Sequence, residues 1–414
     1  MRTAIVNGIL LDTEALTLVG ERHVVIEGDT IASVDEARPD TSNVDRVIDA
    51  RGRFVLPGFV DAHVHHVITT MDFHRLRRLS ATEKAIGAAR LAEATVLRGF
   101  TTVRDTGGDV TGLVRAINSG LCDGPRIVRA GRAISQTGGH GDFDTPQNAA
   151  EAGTICACQV YSNDLSHVAD GPDAVRKAVR HELRDGSDFI KIMSSGGVAS
   201  PSDPFDAIQY TPEEIRAATI ETDHRHTYTT SHAYQPEAIS LAIENGVRCI
   251  EHGNLVDPPT AARMAELGVT MVPTLVTYWA MREMGAKAGM PERNLAKNQG
   301  VFELGQRSIE VAKAAGVALG FGTDLLGEAQ PHQNREFAIR AELEPAVDVL
   351  RAMYHVNVRL CGLEDQVGRI APGRSADVVV STVDPLANLA GLAEPDVALA
   401  AVVSRGRVML DRTE

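Results

Sequence analysis

Side chains that bind divalent metal ions recur at separated points along the middle of this 414-residue chain. Imidazole and carboxylate groups are the usual ligands of zinc-like ions, and a site with an open position lowers the pKa of bound water to about 7. Two of the histidines are spaced i, i+2, which places both on one side of an extended strand. The candidate ligands are His63, His65, Lys191, His232, His252 and Asp324.

Each candidate also has a structural explanation when it is considered alone. A pair such as His63 and His65 is often surface decoration or a hydrogen-bonded pair in the core. Lys191 could extend along the surface or join a salt bridge, since lysine is seldom buried without a partner. Asp324 could cap a following helix, and the two remaining histidines could be hydrogen-bonded core residues. The joint pattern favours a metal site, because all the candidates fall where predicted strands end.

The strands that would position these residues belong to a repeating pattern. Short apolar segments alternate with helical ones, which is typical of a parallel sheet. The predicted strands are 59–65, 101–105, 126–130, 189–193, 229–232, 249–252, 270–273 and 319–324. A helix start is clearest at Thr211-Pro212-Glu213-Glu214, with Thr as N-cap, Pro at the first helical position and Glu at N3. The count and length predict an α/β fold, a (β/α)₈ TIM barrel, whose strands end on one common face.

The two ends of the chain have a different pattern, with β-branched runs separated by Gly and Asp turns. These runs lie at residues 3–6, 23–26, 47–49, 377–380, 400–403 and 407–410. Neither end can form a substantial core by itself, so we expect them to pair into one β-sandwich. The predicted domains are a β-sandwich of residues 1–56 and 363–414 and a metal-dependent barrel of residues 57–362.

Composition excludes several classes of protein. The chain has 41 Lys and Arg against 55 Asp and Glu, a net charge of −14, whereas nucleic-acid binding needs a basic surface. Acidic membranes are disfavoured for the same reason, and no apolar run approaches the roughly 20 residues of a membrane span. The five cysteines are odd in number and scattered, and the N-terminus lacks a signal-peptide core, so we expect a cytoplasmic protein.

Four motifs stand out along the predicted barrel. They are the run 56–65 (LPGFVDAHVH), Lys191 with His232, Glu251-His252-Gly253 and Gly322-Thr323-Asp324. Together they resemble the amidohydrolase superfamily in its binuclear-metal subtype, and the resemblance covers essentially the whole chain. It implies that Lys191 is carboxylated by CO₂ to a carbamate that bridges two divalent ions, zinc first, with cobalt or manganese as alternatives. It also implies that one ion is held by His63, His65 and Asp324, and the other by His232 and His252.

The same resemblance implies hydrolysis of an amide or ester. A hydroxide shared by the two ions would attack a carbonyl that one of them polarises. Asp324 would accept the hydroxide proton and pass it to the leaving amine. A carbamate suits the bridging position chemically, because a protonated amine is a poor ligand and an anion helps to hold two dications together.

Segments 191–198, 231–234 and 320–328 look most like the prolidase-like, imidazolonepropionase-related branch. This likeness implies an Xaa-Pro-type dipeptidase whose substrate is a small amide with a carboxylate. It further implies that His140 donates to the scissile carbonyl and Tyr234 to the substrate carboxylate, although each could instead be a packing residue. The alternatives are hydrolysis of another C–N bond, in an aromatic N-acyl amino acid, phenylurea, carbamate or cyclic amide, and a non-catalytic barrel scaffold.

Four further residues keep more than one interpretation. His66 should point away from His65, and we expect it to be structural. Cys156 and Cys158 are too close in sequence for a usual zinc pair, so buried or loop thiols are expected. Trp279, the only tryptophan, could form an apolar substrate wall or pack in the core.

The resemblance also implies a homo-oligomer, without a sequence feature that sets the number of subunits.

Overall fold

The computed structural model describes residues 1–142, 165–200 and 203–413. Within these residues, parallel strands alternate with helices around a TIM barrel, which confirms the predicted fold class. The barrel strands, first to eighth, are Phe59–Val64, Phe100–Asp105, Arg126–Arg129, Ile190–Met193, Thr229–Ala233, Cys249–His252, Thr270–Val272 and Ala318–Leu319. Each predicted strand overlaps one of them. Cys156 and Cys158 lie outside the described residues.

Backbone hydrogen bonds close these strands into a ring. The first three strands form one parallel sheet, and the fourth to eighth belong to another. Ala62 N donates to Phe321 O at 2.9 Å, which connects the first strand to the segment after the eighth. On the other side, Asp188 N donates to Arg129 O at 2.8 Å, which connects the fourth strand to the third.

The third strand matches the predicted segment 126–130, but the structure adds a second piece after a bend. A further strand, Ala133–Ser135, continues it and pairs with the fourth strand and with Ser166–Val168. Gly131, between the two pieces, has a φ of 71°, and a Cβ there would lie 2.5 Å from Glu182 Oε2. Glycine is therefore required at this bend, which carries the chain onward to His140.

Helices cover the outside of the barrel. Two of them begin with a capping box, at Ser80 with Glu83 and at Thr211 with Glu214, and the second was predicted from the sequence. The α-helices of the described residues are Phe73–Arg78, Ala81–Leu97, Thr111–Asn118, Pro172–Arg184, Pro212–His224, Pro236–Glu244, Pro258–Glu266, Leu275–Met284, Glu292–Lys297, Val301–Ala315, Arg335–Ala341, Ala346–Arg351, Asn357–Leu360 and Pro395–Ala398. Short 3₁₀ helices lie at Gly327–His332 and Leu389–Ala393, with a π-helical turn at Ala352–Val356. No helix among the described residues combines the length and the apolar character that crossing a membrane requires.

Strands from both chain ends form a separate sheet, as predicted. They are Arg2–Asp12, Thr17–Glu27, Thr30–Asp35, Arg46–Asp49, Phe54–Pro57, Val378–Ser381, Leu399–Ser404 and Arg407–Asp411. The two ends meet where Phe54–Pro57 pairs antiparallel with Val378–Ser381. Ile31 N also donates to Arg374 O at 2.8 Å, so the sheet curls back around its own apolar core. The exact domain bounds stay a prediction.

Aromatic rings join the first, second and eighth barrel strands to an outer helix. Phe59 lies edge-on to Phe100 and to Phe337, with ring centroids 5.5 and 5.2 Å apart, and Phe321 lies 4.8 Å from Phe337. All four rings are fully buried. Replacing one buried phenylalanine by alanine costs about 3–5 kcal/mol, so this cluster stabilises the barrel where the first and last strands meet.

Candidate metal centre

A pocket of about 680 Å³, counted with its opening to solvent, lies at the C-terminal ends of the barrel strands. It is lined by every residue that the sequence analysis selected for chemistry: His63, His65, His140, Lys191, His232, Tyr234, His252 and Asp324. Parallel strands of a barrel end on one face, so residues more than 200 positions apart in sequence meet there.

One side of the pocket, the acidic half, consists of His63, His65 and Asp324. One potential ligand atom from each of them lies within 4.8 Å of the others. Asp324 Oδ1 is 3.2 Å from His65 Nε2 and 3.5 Å from His63 Nε2. The His65 Nδ1 must carry a proton, because its partner at 2.9 Å is the Gly107 carbonyl oxygen, which can only accept. His65 Nε2 is therefore unprotonated in the neutral ring and available to a metal ion.

The other side, the basic half, consists of Lys191, His232 and His252. The rings of His232 and His252 have centroids 4.7 Å apart, and the His252 ring lies 4.9 Å from that of His63 in the acidic half. His232 Nε2 donates to the Gly196 carbonyl oxygen at 3.1 Å, which leaves Nδ1 for a metal ion. For His252 the free atom is Nε2, because the Thr274 hydroxyl lies 2.8 Å from Nδ1.

Lys191 is 2% exposed and forms no ion pair with a carboxylate of the described residues. Burial lowers the pKa of Lys191 to about 8, although Glu251 and Asp324 act in the opposite direction. Burial also lowers the pKa of His232 and of His252 well below the ordinary range, so both rings are neutral. The basic half thus supplies lone pairs but no anion.

The two halves together fit a pair of divalent ions. The acidic half offers two imidazole nitrogens and a carboxylate, and the basic half offers two imidazole nitrogens. A buried amine with a lowered pKa can react with CO₂ to form a carbamate, which is the anion that the basic half lacks. The donor set therefore agrees with the metal pair that the family resemblance implies.

Glu251 supports the acidic half from inside the barrel. Its Oε2 lies 2.8 Å from His63 Nδ1, and its Oε1 accepts from Arg104 Nη2 at 2.5 Å and from the Thr230 hydroxyl. Burial acts to raise the pKa of Glu251, but the charge of Arg104 and the contact with His63 outweigh it and hold the pKa well below its usual range. An ionised Glu251 holds the proton of His63 on Nδ1 and leaves Nε2 for the metal.

Arg104 is the fully buried partner that makes this arrangement possible. Its Nε donates to the Ala62 carbonyl at 2.6 Å, its Nη1 donates to the Tyr228 hydroxyl at 3.0 Å, and its guanidinium lies over the Phe189 ring. Sequence reasoning did not find this role. The one available signal was an arginine inside the predicted second strand, 101–105.

Two of the candidate ligands have a left-handed backbone conformation. His252 has a φ of 72° and Asp324 a φ of 50°, which is unusual for residues with a Cβ and costs on the order of 1–3 kcal/mol each. In a regular strand Glu251 and His252 would point to opposite sides, yet both lie close to His63. The reversed φ at His252 accounts for this departure from strand alternation.

Asp61 links the first strand to the loop that carries Asp324. Its carboxylate accepts from His63 N at 3.0 Å, from the Thr323 hydroxyl at 2.6 Å and from Gln333 Nε2 at 2.8 Å. Burial raises the pKa of Asp61 to about 6 in spite of these hydrogen bonds. In the sequence Asp61 is only one residue of the run 56–65, and no local pattern indicates its contacts with Thr323 and Gln333.

His140 lies against the basic half. Its ring is stacked on that of His232, with centroids 4.1 Å apart, and its Nδ1 lies 2.6 Å from the Ser200 hydroxyl and 3.6 Å from Asp203 Oδ2. On the other face a Cβ at Gly197 would be 2.2 Å from the ring, so only glycine fits there. His140 Nε2 has no hydrogen-bond partner among the described residues and remains free for a ligand.

Tyr234 follows the fifth strand, and its ring packs on Phe205 with centroids 5.0 Å apart. Burial raises the pKa of Tyr234, so the hydroxyl keeps its proton. The Tyr278 hydroxyl lies 3.0 Å from the Tyr234 hydroxyl, and Tyr278 also lines the pocket. Sequence reasoning missed Tyr278, because a tyrosine inside an apolar helix is ordinarily a packing residue.

Two residues with open interpretations lie outside the pocket lining. His66 is buried, and both its backbone N and its Nδ1 contact Asp105 Oδ2, at 3.0 and 3.1 Å. The ring of Trp279 is covered by the Arg335 guanidinium, 4.0 Å from its centroid, and by the His332 ring at 5.2 Å.

The remaining walls of the pocket are mostly apolar. They comprise Ile68, Phe73, Ala133, Leu165, Met193, Val198, Ala199, Met281 and Leu326. Such walls accommodate an apolar side chain or ring next to the polar centre, while the few polar groups orient the ligand.

Comparison with known proteins gives consistent matches along the chain. A family model described as the amidohydrolase family matches residues 54–409. The structure of a prolidase in complex with N-methylphosphonate-L-proline is 41% identical, with 99% of each chain covered and a TM-score of 0.92. An Xaa-Pro dipeptidase structure with methionine in its active site is 29% identical, with 99% of each chain covered and a TM-score of 0.87. Ochratoxinase of Aspergillus niger is 28% identical over 353 residues, 82% of this chain and 72% of that protein.

Proposed function

Because the chain belongs to the amidohydrolase family, whose matched relatives include hydrolases of C–N bonds, we propose that it hydrolyses Xaa-Pro-type dipeptides. The observation that carries the proposal is a single pocket in which the metal-binding side chains adjoin two hydrogen-bond donors, His140 and Tyr234. A dipeptide with a free carboxylate has a group for each part of the pocket. Its scissile carbonyl would lie at the metal ions and His140, its leaving nitrogen near Asp324, and its carboxylate at Tyr234.

We assign the ligands by the ring atoms that remain free. One ion would bind His63 Nε2, His65 Nε2 and Asp324, the other would bind His232 Nδ1 and His252 Nε2, and a carbamate on Lys191 would bridge both. When bound, two divalent ions, zinc first and cobalt or manganese as alternatives, supply an acidified water and polarise the substrate carbonyl.

The side chains of this protein then orient the substrate and move protons. Asp324 Oδ1 faces His63 and His65, so the second carboxylate oxygen is the atom that takes a proton and passes it to the leaving amine. The Ser200 hydroxyl donates to Asp203 and therefore accepts from His140 Nδ1, so the Nε2 hydrogen bond to the scissile carbonyl oxygen comes from the doubly protonated ring. The Tyr234 hydroxyl donates a hydrogen bond to the substrate carboxylate.

The test is a panel of Xaa-Pro dipeptides given to the zinc-loaded protein, with free proline as the measured product. Hydrolysis should stop when the metal is removed by a chelator and return when zinc is restored. Tyr234→Phe should raise KM about tenfold and change kcat little, since a lost charge-assisted hydrogen bond weakens binding by about 1.4 kcal/mol or more. Protein that holds two metal ions per chain and cleaves none of the dipeptides would exclude this function.

A second candidate is hydrolysis of another C–N bond, such as that of an aromatic N-acyl amino acid, a phenylurea, a carbamate or a cyclic amide. The apolar walls with Phe73 and Met281 favour a bulky apolar group, and the similarity to ochratoxinase points in the same direction. Substrates without a carboxylate near Tyr234 should be turned over equally well by Tyr234→Phe. A screen of both substrate classes with the two proteins separates the candidates.

The expected partner is a small-molecule substrate, and a homo-oligomer and a cytoplasmic location stay predictions. The cysteines of the described residues, Cys122, Cys249 and Cys361, are free thiols, which is compatible with a reducing compartment. A non-catalytic scaffold is disfavoured, because the pocket retains every ligand side chain. Size-exclusion chromatography with light scattering measures the number of subunits.

A further inference from the structure

Three side chains form a short hydrogen-bonded row on one wall of the pocket. The Tyr278 hydroxyl lies 3.0 Å from the Tyr234 hydroxyl and 3.2 Å from Asn254 Oδ1. Tyr234 follows the fifth strand, Asn254 follows the sixth, and Tyr278 lies in the helix Leu275–Met284 after the seventh. All three are at least 97% buried, and both tyrosines line the pocket.

The number of protons allows only two arrangements of this row. Asn254 Nδ2 donates to the Val301 carbonyl at 3.2 Å, so Oδ1 is the amide atom that faces Tyr278, and it can only accept. Tyr278 has one hydroxyl proton and two acceptors for it, Asn254 and Tyr234. Its third partner, the Thr274 hydroxyl, accepts from His252 Nδ1 and therefore donates to Tyr278. If Tyr278 donates to Tyr234, the Tyr234 proton is free to point into the pocket. If Tyr278 donates to Asn254, the Tyr234 proton is drawn back to the Tyr278 oxygen.

We propose that Tyr278 is a specificity-determining positioning residue, which directs the Tyr234 proton into the pocket and so favours a carboxylate ligand over its neutral carboxamide. This inference rests on the proposed contact between Tyr234 and the substrate carboxylate. A carboxylate can only accept, so it selects the arrangement in which Tyr278 donates to Tyr234 and Tyr234 donates to the ligand. Each hydrogen bond in such a row polarises the next, which strengthens the final donor.

Asn254 acts against this preference in the same row. Because its Oδ1 competes for the Tyr278 proton, it stabilises the arrangement that withholds the Tyr234 proton from the pocket. Removal of the Tyr278 hydroxyl and removal of the Asn254 amide should therefore change carboxylate selectivity in opposite directions. Two residues with a merely structural role would weaken binding of the acid and the amide alike.

The experiment measures calorimetric affinities of the zinc-loaded protein for N-methylphosphonate-L-proline and for the corresponding prolinamide, neither of which requires turnover. The quantity compared is the acid-to-amide affinity ratio. Tyr278→Phe should lower this ratio about fivefold, the equivalent of one net hydrogen bond, and Asn254→Ala should raise it about twofold. The double variant should match Tyr278→Phe, because Asn254 acts only through Tyr278.

Affinity for the amide probe is the control for folding and should stay within about twofold of the native value in each variant. Tyr210→Phe is the matched control, since its buried hydroxyl donates to the Ala169 carbonyl outside the pocket lining. A native ratio near one, an unchanged ratio in Tyr278→Phe, or a lowered ratio in Asn254→Ala overturns the proposal. Failure to cleave dipeptides by a protein that keeps the expected ratios would overturn the proposed function alone.

Discussion

The acidic half of the pocket contains its own carboxylate, Asp324, whereas the basic half brings three nitrogen bases together without an anion from the described residues. In the acidic half, burial acts to raise the pKa of Asp324, but His63 and His65 outweigh it, and the pKa lies below its usual value. Lys191 in the basic half has no comparable partner. The halves are nevertheless adjacent, with the rings of His63 and His252 4.9 Å apart.

This difference shows where metal binding depends on a chemical change in the protein. The acidic half already contains a carboxylate, that of Asp324, and its His63 is held by Glu251 and Asp61. Only a carbonyl and a hydroxyl orient the histidines of the basic half, at Gly196 and Thr274. We therefore expect the basic half to need the Lys191 carbamate, and the acidic half to depend on its supporting carboxylates.

The largest effect should come from Lys191→Ala, which removes the amine that we propose to carry the carbamate of the basic half. We expect the loss of one metal ion per chain and a fall in kcat of about 10⁴-fold or more, measured by elemental analysis and steady-state kinetics. Added short-chain carboxylic acids should restore part of the activity. Lys177→Ala, on an exposed helix face, is the matched control. Two bound ions and a native rate in Lys191→Ala would remove the distinction between the halves.

Asp324→Asn should impair the acidic half in turn. It removes both the anionic ligand and the proton acceptor, so kcat should fall about 10³-fold while the ion of the basic half is retained. Metal content together with kcat and KM for one substrate measures the effect. Asp109→Asn, at an exposed position, should change neither quantity. Loss of both ions to the same extent would show that the two halves bind as one unit.

Glu251→Gln tests the support of the acidic half without replacing a candidate ligand. Loss of the carboxylate should weaken metal binding about 10- to 100-fold, because His63 loses the group that holds its Nδ1 proton. It also leaves Arg104 buried without its anion, which should lower the free energy of unfolding by about 3–5 kcal/mol. Chelator competition and urea unfolding measure the two effects. Glu244→Gln, in an exposed pair with Arg263, is expected to be neutral.

The smallest effect on activity is expected at Glu336, a buried carboxylate outside both halves that accepts from Val276 N at 2.7 Å. Burial raises the pKa of Glu336 to about 8, from an ordinary 4.5. The native protein keeps this proton where the unfolded chain has lost it, so the free energy of unfolding falls between about pH 4.5 and 8, by up to roughly 1.4 kcal/mol per pH unit.

Glu336→Gln should flatten that pH dependence and leave activity near the native level. Urea unfolding of metal-free protein at about pH 5, 6.5 and 8 measures the change, with Glu342→Gln at an exposed position as the control. A slope that Glu336→Gln does not alter would contradict the assignment of this titration to Glu336. If Glu336→Gln lost as much activity as Asp324→Asn, activity would depend on a carboxylate outside the two halves of the pocket, which the comparison of the halves excludes.

Local patterns carried the prediction of the barrel and of the residues that line its pocket. The alternation at His63 and His65, the capping box at Thr211 and the short apolar strands are each encoded within a few neighbouring positions. A parallel barrel then requires its strand ends to converge, so the position of a residue on its strand was sufficient to place it at the mouth. The further strand Ala133–Ser135 was missed, because the bend at Gly131 that leads to it is set by packing against Glu182.

By itself the sequence determined the order of strands and helices and placed the six candidate ligands at strand ends, since these follow from periodicities of two and 3.6 residues. Only the tertiary structure decided which atoms meet. Glu251 reaches His63 across 188 residues, and Tyr278 reaches Asn254 across 24 and Tyr234 across 44. Contacts of this kind depend on the closure of the barrel and on the left-handed backbone at His252 and Asp324, which no local pattern encodes.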